Sequence, residues 1–234
     1  MNLINNSLEY YIDCLKNNEK FSFTRWGDGE WSCLFGVEGQ NCDAHIYYPE
    51  MSKGLINVFD DHKGYFLATW SKLLKDGSPR PMMRNILPTI EKFLEMNNLT
   101  FDWVDATVWE EAAMAGNISP LIEQLEKMNF VIVSEASKRE LPMKYTDFIE
   151  VPKTNCFLEK DRIKNDMIEM CKKYDNIVFG LSASMATNVI VDELFPIIGD
   201  KCWMIDFGSI WEPYVPNPVH GRTYHKRYKS KELK

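Results

Sequence analysis

The chain has 234 residues and a formal net charge of −7, and its hydrophobic fraction of 45% is sufficient for a core. No run of about 18 apolar residues occurs, and the N-terminus lacks the basic and apolar regions of a secretory signal. The six cysteines include no CxxC pair, which argues against a zinc ribbon. We therefore expect reduced thiols in a cytoplasmic protein, in a bacterium or in a phage-infected host.

The C-terminal tail is strongly basic. Residues 220–234 hold four Lys and two Arg against one Glu, so they carry +5 and leave −12 for the rest of the chain. Such a tail is either a solvated terminus or a basic patch for the phosphates of a nucleotide or a nucleic acid. Within it, Arg222, His225 and Lys226 would neutralise a leaving diphosphate in a phosphate-transfer or nucleotide-sugar enzyme.

Predicted helices and strands alternate along the chain. Apolar residues spaced as on one helix face predict a first helix, and Ser119 as N-cap with Pro120 after it marks another helix start. The helices are expected at residues 5–18, 88–96, from 119 onward, at 160–174 and after the loop 180–186. The strands are expected at residues 21–24, 65–70, 101–107, 130–136, in NIVFGL and at 202–208.

The spacing of the buried strands, about 35 to 45 residues apart, is typical of repeated βαβ units. We predict one Rossmann-like α/β domain over residues 1–234, with a mostly parallel sheet flanked by helices and a basic tail from about residue 220. Ligands of such sheets bind beyond the carboxyl ends of the strands. Three polar segments follow predicted strands: TRWGDGE (24–30), GLSASMA (180–186) and IDFGS (205–209).

The first segment combines two carboxylates with two glycines. In an extended backbone, residues two apart point to the same side, so Asp28 and Glu30 would converge on one point. Two carboxylates there would repel each other unless a cation lay between them, and hard oxygen ligands suit Mg²⁺ or Mn²⁺. Arg25 would bind the phosphates that share this ion. The alternative is a solvated acidic turn at Gly27 and Gly29.

The other two segments offer an anion site and two acids. Ser182 and Ser184 precede an apolar helix whose free N–H groups would bind an anion, although either serine is also a candidate N-cap. Asp206 would bind a sugar hydroxyl or act as a base, or else cap the following turn. Glu212, a few residues on, is a second candidate acid or base.

One histidine and three tryptophans complete the candidates. His45 is expected to be a structural histidine rather than a metal ligand. Trp70, Trp103 and Trp109 are expected in the core, with one of them available to line a sugar or base pocket.

The stretch SFTRWGDGEW resembles the signature of the GT-D-fold glycosyltransferases, a family formerly classed as a domain of unknown function. The run GLSASMATNVIVDELFPIIGDKCWMIDFGSIWEPY is similar to the family's second block, although the family often has Gly-Pro in place of Leu-Ser-Ala-Ser. The resemblance implies a nucleotide diphosphate sugar as donor. It also implies a divalent ion, typically manganese, held by the Asp-x-Glu motif of Asp28 and Glu30. Gly27 and Gly29 would let the backbone approach the diphosphate.

The resemblance, together with these residues, implies a metal-dependent glycosyltransferase. The ion, Arg25 and the basic tail would stabilise the leaving diphosphate. If the reaction inverts the anomeric centre, Asp206 or Glu212 would deprotonate the acceptor hydroxyl. The acceptor would be a surface glycan or glycoprotein, or a hydroxymethylated base in phage DNA. The rival hypotheses are a nucleotide phosphohydrolase or phosphotransferase that uses the same carboxylates, and a non-catalytic nucleotide-sugar binding protein.

Overall fold

Eight parallel strands form the sheet around which the chain folds. The computed structural model describes residues 2–59, 63–70 and 81–216. The strands are β1 (Asn2–Ile4), β2 (Ser22–Trp26), β3 (Tyr65–Thr69), β4 (Asp102–Asp105), β5 (Asn129–Ser134), β6 (Asp147–Glu150), β7 (Ile177–Leu181) and β8 (Trp203–Asp206). Their order across the sheet is β1-β4-β3-β2-β8-β7-β5-β6, and every pairing is parallel. This confirms the predicted α/β domain.

Helices connect the strands. They are α1 (Leu8–Lys16), α2 (Asp28–Leu34), α3 (Pro49–Asn57), α4 (Pro81–Met96), α5 (Val108–Ala115), α6 (Ser119–Leu125), α7 (Lys160–Lys173) and α8 (Ala186–Ile198). Short 3-10 turns cover Ala136–Glu140, Cys156–Glu159 and Glu212–Tyr214. Within the described part of the chain, no helix is both long and apolar enough to cross a membrane.

Alternate residues of the central strands face two separate cores. On β5, Phe130 and Ile132 join the larger core, whereas Val131 and Val133 join the smaller one. This is the period of two that a pleated strand imposes, and a strand buried on both faces therefore reads as a continuous apolar run. All five residues of β7 are buried for the same reason. The carboxyl ends of these strands are thus fixed on both sides by packing.

Two predicted helix starts were wrong. The helix expected at residue 88 begins at Pro81, so Pro88 lies inside α4. Proline does occupy the first turn as the rule states, but the rule cannot say which of several nearby prolines does so. The N-cap of α6 is Ile118, and Ser119 is already helical with Pro120 in the first turn.

Candidate active site

A pocket lies at the carboxyl ends of β2, β5, β7 and β8. It collects polar residues from all three segments that the sequence indicated. The predicted site residues that line it are Arg25, Gly27, Asp28, Gly29, Glu30, Ser182, Ser184, Asp206 and Glu212. The remaining three, Arg222, His225 and Lys226, lie outside the described residues.

The Asp-x-Glu motif is the first turn of helix α2, not an extended segment. Gly27 is the N-cap of α2, and its N–H donates to Glu30 Oε2 at 2.8 Å. Side chains two apart on a helix point in different directions, so the predicted geometry of convergence was wrong. Glu30, three residues after the N-cap, accepts the N-cap N–H and so supplies one half of a capping box, while Gly27 has no side chain to supply the other half.

Glu30 carries a carboxyl group with an unusual proton affinity. Part of the residue reaches the pocket, but its carboxyl is shielded from water, and this burial raises its pKa to about 7. The negative charge of Asp206 raises the pKa further, while hydrogen bonds from the backbone and the charge of Arg25 oppose the rise. Glu30 therefore changes its charge near neutral pH.

Asp28 is the more accessible carboxylate of the motif. It is partly exposed, lines the pocket, and has no hydrogen-bond or ion-pair partner among the described residues. In the described ranges, no three His, Cys, Asp or Glu side chains form a cage for a metal ion. Mg²⁺ and Mn²⁺ do not need such a cage, since they bind one or two carboxylates and keep waters and substrate phosphates as further ligands. The accessible carboxylate of Asp28 offers the first oxygen ligand to an ion of this kind, and Glu30, which lines the same pocket from a different direction, would offer the second.

Arg25 and Asp206 form an ion pair at the centre of the pocket. Arg25 Nε lies 3.1 Å from Asp206 Oδ2, and its Nη2 donates to Oδ1 at 3.3 Å. The same Oδ1 accepts the Gly208 N–H at 2.8 Å, so Asp206 also caps the turn after β8. Gly208 has φ +53°, and a Cβ there would lie 1.6 Å from Arg25 Nη2. Only glycine allows the guanidinium to lie over this turn.

The loop between β7 and α8 holds both predicted serines without using either as an N-cap. The N-cap of α8 is Met185, whose side chain makes no capping bond. Ser182 Oγ donates to Gly208 O at 2.7 Å and so joins this loop to the turn after β8. Ser184 has φ +54°, a conformation that non-glycine residues rarely adopt outside functional loops. The first N–H groups of α8 follow it and have no acceptor within the helix.

A buried lysine links two carboxylates on the opposite wall. Lys138, which is 1% exposed, donates from Nζ to Glu135 and, at 2.7 Å, to Glu212. Burial alone would raise the pKa of Glu135, but hydrogen bonds from Lys138 and Ser137 hold it below its usual value. Glu212, predicted as a catalytic acid or base, is therefore a buried partner of Lys138.

The loop between α2 and α3, residues 35–48, forms another wall of the pocket. Asn41 Oδ1 accepts the N–H groups of Asp43 and His45, and its Nδ2 donates to Ser184 Oγ at 3.0 Å. His45 Nδ1 accepts the Asn155 N–H at 3.0 Å. This bond gives His45 the structural role that was expected, although the residue also lines the pocket.

The tryptophans divide between core and pocket. Trp103 and Trp109 are buried in the larger core, as predicted. Trp70 follows β3 and lines the pocket, with its Nε1 3.2 Å from the position of a Cβ at Gly27. Trp70 is nevertheless 9% exposed and packs in the larger core, so only part of its ring borders the pocket.

The pocket has an excess of negative charge. Among the described residues that line it, six carboxylates face three cationic side chains, so these residues carry a formal charge of −3 when all are ionised. The acids are Asp28, Glu30, Asp43, Glu135, Asp206 and Glu212, and the bases are Arg25, Lys138 and Lys153. An anionic ligand would need a cation to enter with it.

No family model and no curated protein matches the chain. A solved structure described as "Selenomethionine substituted structure of domain of unknown function 1792 (DUF1792)" superposes with a TM-score of 0.67. The two chains share a fold. The match covers 91% of this chain and 79% of the other at 16% sequence identity. Identity this low establishes the DUF1792-like fold alone, because function depends on the residues of the site.

The DUF1792-like fold brings a fourth strand end to the pocket that the sequence analysis missed. Ser134 ends β5, Glu135 follows it, and Lys138 lies one turn later. The signal was available, because FVIVSEA was predicted as a strand and its last residues include the polar pair Ser134 and Glu135. The rule that ligands bind at carboxyl ends applied to this strand as much as to the other three.

Proposed function

We propose that the chain is a metal-dependent glycosyltransferase, which moves a sugar from a nucleotide diphosphate sugar to an acceptor hydroxyl. One observation carries the proposal: the two sequence blocks that resemble the GT-D family, with 148 residues (32–179) between them, contribute Arg25, Asp28, Ser182 and Asp206 to one pocket. The DUF1792-like fold is consistent with that resemblance.

Asp28 and Glu30 would hold the divalent ion. When bound, Mn²⁺ or Mg²⁺ would neutralise charge on the diphosphate. The pocket's formal charge of −3 supports this requirement, since a diphosphate brings further negative charge into the same space. Deprotonated Glu30 would be favoured by a cation, which reverses the effect of burial on its pKa.

Arg25 and the loop before α8 would bind the diphosphate itself. Asp206 engages Nε and Nη2 of Arg25, and the guanidinium has five N–H donors in a fixed plane. Asp206 fixes the orientation of this plane, which favours bidentate binding of phosphate. The N-terminus of α8 follows Ser184 and would add the positive end of its helix dipole, although the Thr187 N–H is already bonded to Ser184 O.

Of the two candidates for the base, Asp206 and Glu212, we propose Asp206, because Glu212 is buried and bonded to Lys138. Asp206 lines the pocket beside Arg25 and would accept the proton of the acceptor hydroxyl there. The acid-rich pocket favours an uncharged acceptor, so we propose the hydroxyl of a glycan or glycoprotein. A DNA strand, the other acceptor considered, would bring phosphates toward a negative surface.

A thermal-shift panel tests the proposal directly. Nucleoside diphosphates and nucleotide sugars are added to the full chain with and without Mn²⁺, and a ligand at 100 times its Kd should stabilise by about 2.7 kcal/mol. We expect stabilisation that requires Mn²⁺ and is lost in Asp28→Asn. Turnover of the same donor should release intact nucleoside diphosphate, whereas inorganic phosphate as first product would indicate the rival phosphohydrolase.

Asp175→Asn is the matched control for this panel. Asp175 is exposed and precedes the amino end of β7, whereas the pocket lies at the carboxyl ends of the strands. The control should keep the full Mn²⁺-dependent shift. If no compound stabilises the wild-type protein in the presence of Mn²⁺, the proposal is wrong.

A further inference from the structure

We propose that one buried wall of the pocket binds the hydroxyl groups of the donor sugar and selects an uncharged sugar ring. This wall, called the β5 wall, consists of Ser134, Glu135, Lys138 and Glu212. The inference rests on the proposed function, because it assigns the sugar half of the donor to a part of the same pocket.

Ser134 supplies the observation that points to a ligand. The residue is 1% exposed, ends β5 and lines the pocket. Its Oγ has no hydrogen-bond partner among the described residues. A buried hydroxyl without a partner is unfavourable, and most buried polar atoms of proteins do have one. A sugar hydroxyl in the pocket would provide the missing partner.

Lys138 fixes the carboxylates beside Ser134. Glu135 accepts the Ser137 N–H at 2.8 Å, together with bonds from Ser137 Oγ and Lys138 Nζ. An ionised carboxylate has about four acceptor positions, so Glu135 can accept one more hydroxyl. Lys138 is thus a positioning residue, because it orients Glu135 and Glu212 through charged hydrogen bonds.

The position of the wall favours the donor sugar over the acceptor. Val133 pairs with Leu181 across β5 and β7, and the Ser182 N–H donates to Val133 O at 2.9 Å. Ser134 therefore adjoins the loop that we propose for the diphosphate, within reach of a sugar attached to it. Lys138 and Glu212 are 1% and 3% exposed, so the wall is deep in the pocket, whereas an acceptor approaches from solvent.

The charge of the wall predicts which sugars bind. Two carboxylates against one ammonium give the wall a formal charge of −1. Hydroxyl groups can donate to these carboxylates, but a sugar that carries its own carboxylate meets like charge. Nucleotide sugars with an uncharged ring are therefore the expected donors, and uronic acids are excluded.

Titration calorimetry in Mn²⁺ tests the wall with defined probes. UDP, UDP-glucose and UDP-glucuronic acid are measured on the full chain, with GDP and GDP-mannose as a second pair. We expect Ser134→Ala to weaken the uncharged nucleotide sugar about tenfold and the nucleoside diphosphate less than twofold. Wild type should bind UDP-glucose at least tenfold more tightly than UDP-glucuronic acid, and Glu135→Gln should narrow that difference.

Ser22→Ala is the matched control. Ser22 Oγ is also buried without a partner among the described residues. Ser22, however, lies at the amino end of the central strand β2, whereas the pocket lies at the carboxyl ends of the strands. This variant should leave every affinity unchanged. If Ser134→Ala weakens the binding of nucleotide sugar and nucleoside diphosphate by the same factor, or weakens the binding of neither, the proposed role of the β5 wall is refuted. The proposed function would still stand. If neither UDP nor GDP binds in Mn²⁺, both proposals fail.

Discussion

Glu30 stabilises helix α2 by capping it, but its ionised form is unfavourable because the carboxyl is buried. Its carboxyl accepts the Gly27 N–H, yet burial raises its pKa from 4.5 to about 7. The folded protein therefore holds this proton more tightly than the unfolded chain does. The contribution of Glu30 to stability is then greatest below pH 4.5 and falls as the pH rises through 7.

Replacement of Glu30 by Gln tests this titration in a buffer with chelator. Gln keeps an oxygen for the Gly27 N–H but has no charge, so the variant should lack the loss of stability between pH 5 and pH 8. The rise in the pKa of Glu30 corresponds to a change of at most about 3 kcal/mol in the free energy of unfolding. In urea unfolding, the free energy of unfolding of Glu30→Gln minus that of wild type should be larger at pH 8 than at pH 5. Glu95→Gln, at an exposed site on α4, should show no such difference; an identical pH dependence of Glu30→Gln and wild type would contradict the account.

Gly208 shows a second constraint at the scale of one residue. Ala at this position would place a Cβ against the Arg25 guanidinium and strain a backbone with positive φ. We expect Gly208→Ala to lower the free energy of unfolding by about 2–4 kcal/mol, because the Arg25–Asp206 pair is displaced. Gly36→Ala separates the two effects, since Gly36 also has positive φ but has open space around it. Gly36→Ala should lower the free energy of unfolding by only about 1 kcal/mol. Equal losses in the two variants would show that the contact with Arg25 is unimportant.

At the scale of elements, the α2–α3 loop is held to the rest of the pocket by few side chains. Asn41 bonds to Ser184 and to two backbone N–H groups of its own loop. The Ile46 N–H, in contrast, donates to Asn155 Oδ1 and makes no bond to Asn41. The Ile46 amide therefore reports whether the loop opens as one unit.

Asn41→Ala should make the Ile46 amide exchange its hydrogen at least tenfold faster, with little change in global stability. The reason is that loss of three side-chain hydrogen bonds frees the loop while both cores remain intact. Hydrogen exchange read out residue by residue measures the effect. Asn97→Ala, which removes one exposed bond to Phe93 O, should leave Ile46 unchanged. A fully protected Ile46 amide in Asn41→Ala would mean that the loop is held by other contacts.

At the scale of the whole molecule, the sequence predicted the sheet better than it predicted the site. Continuous apolar runs such as β5 and β7 are recognisable because both faces are buried. Helix α2 was missed because its first turn, Asp-Gly-Glu, has two features of a turn, glycine and acid. The helix is fixed there by the bond from the Gly27 N–H to Glu30 and by packing of Trp31, which no local pattern reveals.

The ion pairs of the site were equally invisible in the sequence. Arg25 and Asp206 are 181 residues apart, and Lys138 and Glu212 are 74 apart. Arg25, Asp206 and Glu212 were each assigned a role on their own and Lys138 was assigned none, whereas folding pairs the two acids with the two cations. Strand order brings these pairs together, and strand order is set by how the whole sheet packs.

The central claim is that Asp28 and Glu30 hold a divalent ion together with the diphosphate at the carboxyl ends of the strands. The most direct measurement is a crystal structure of the wild-type protein with Mn²⁺ and a nucleoside diphosphate, with anomalous scattering used to locate the ion. The account predicts an anomalous peak within about 2.5 Å of an Asp28 carboxylate oxygen and in contact with the diphosphate. A bound diphosphate with no Mn²⁺ at Asp28, or with the ion elsewhere, would contradict it.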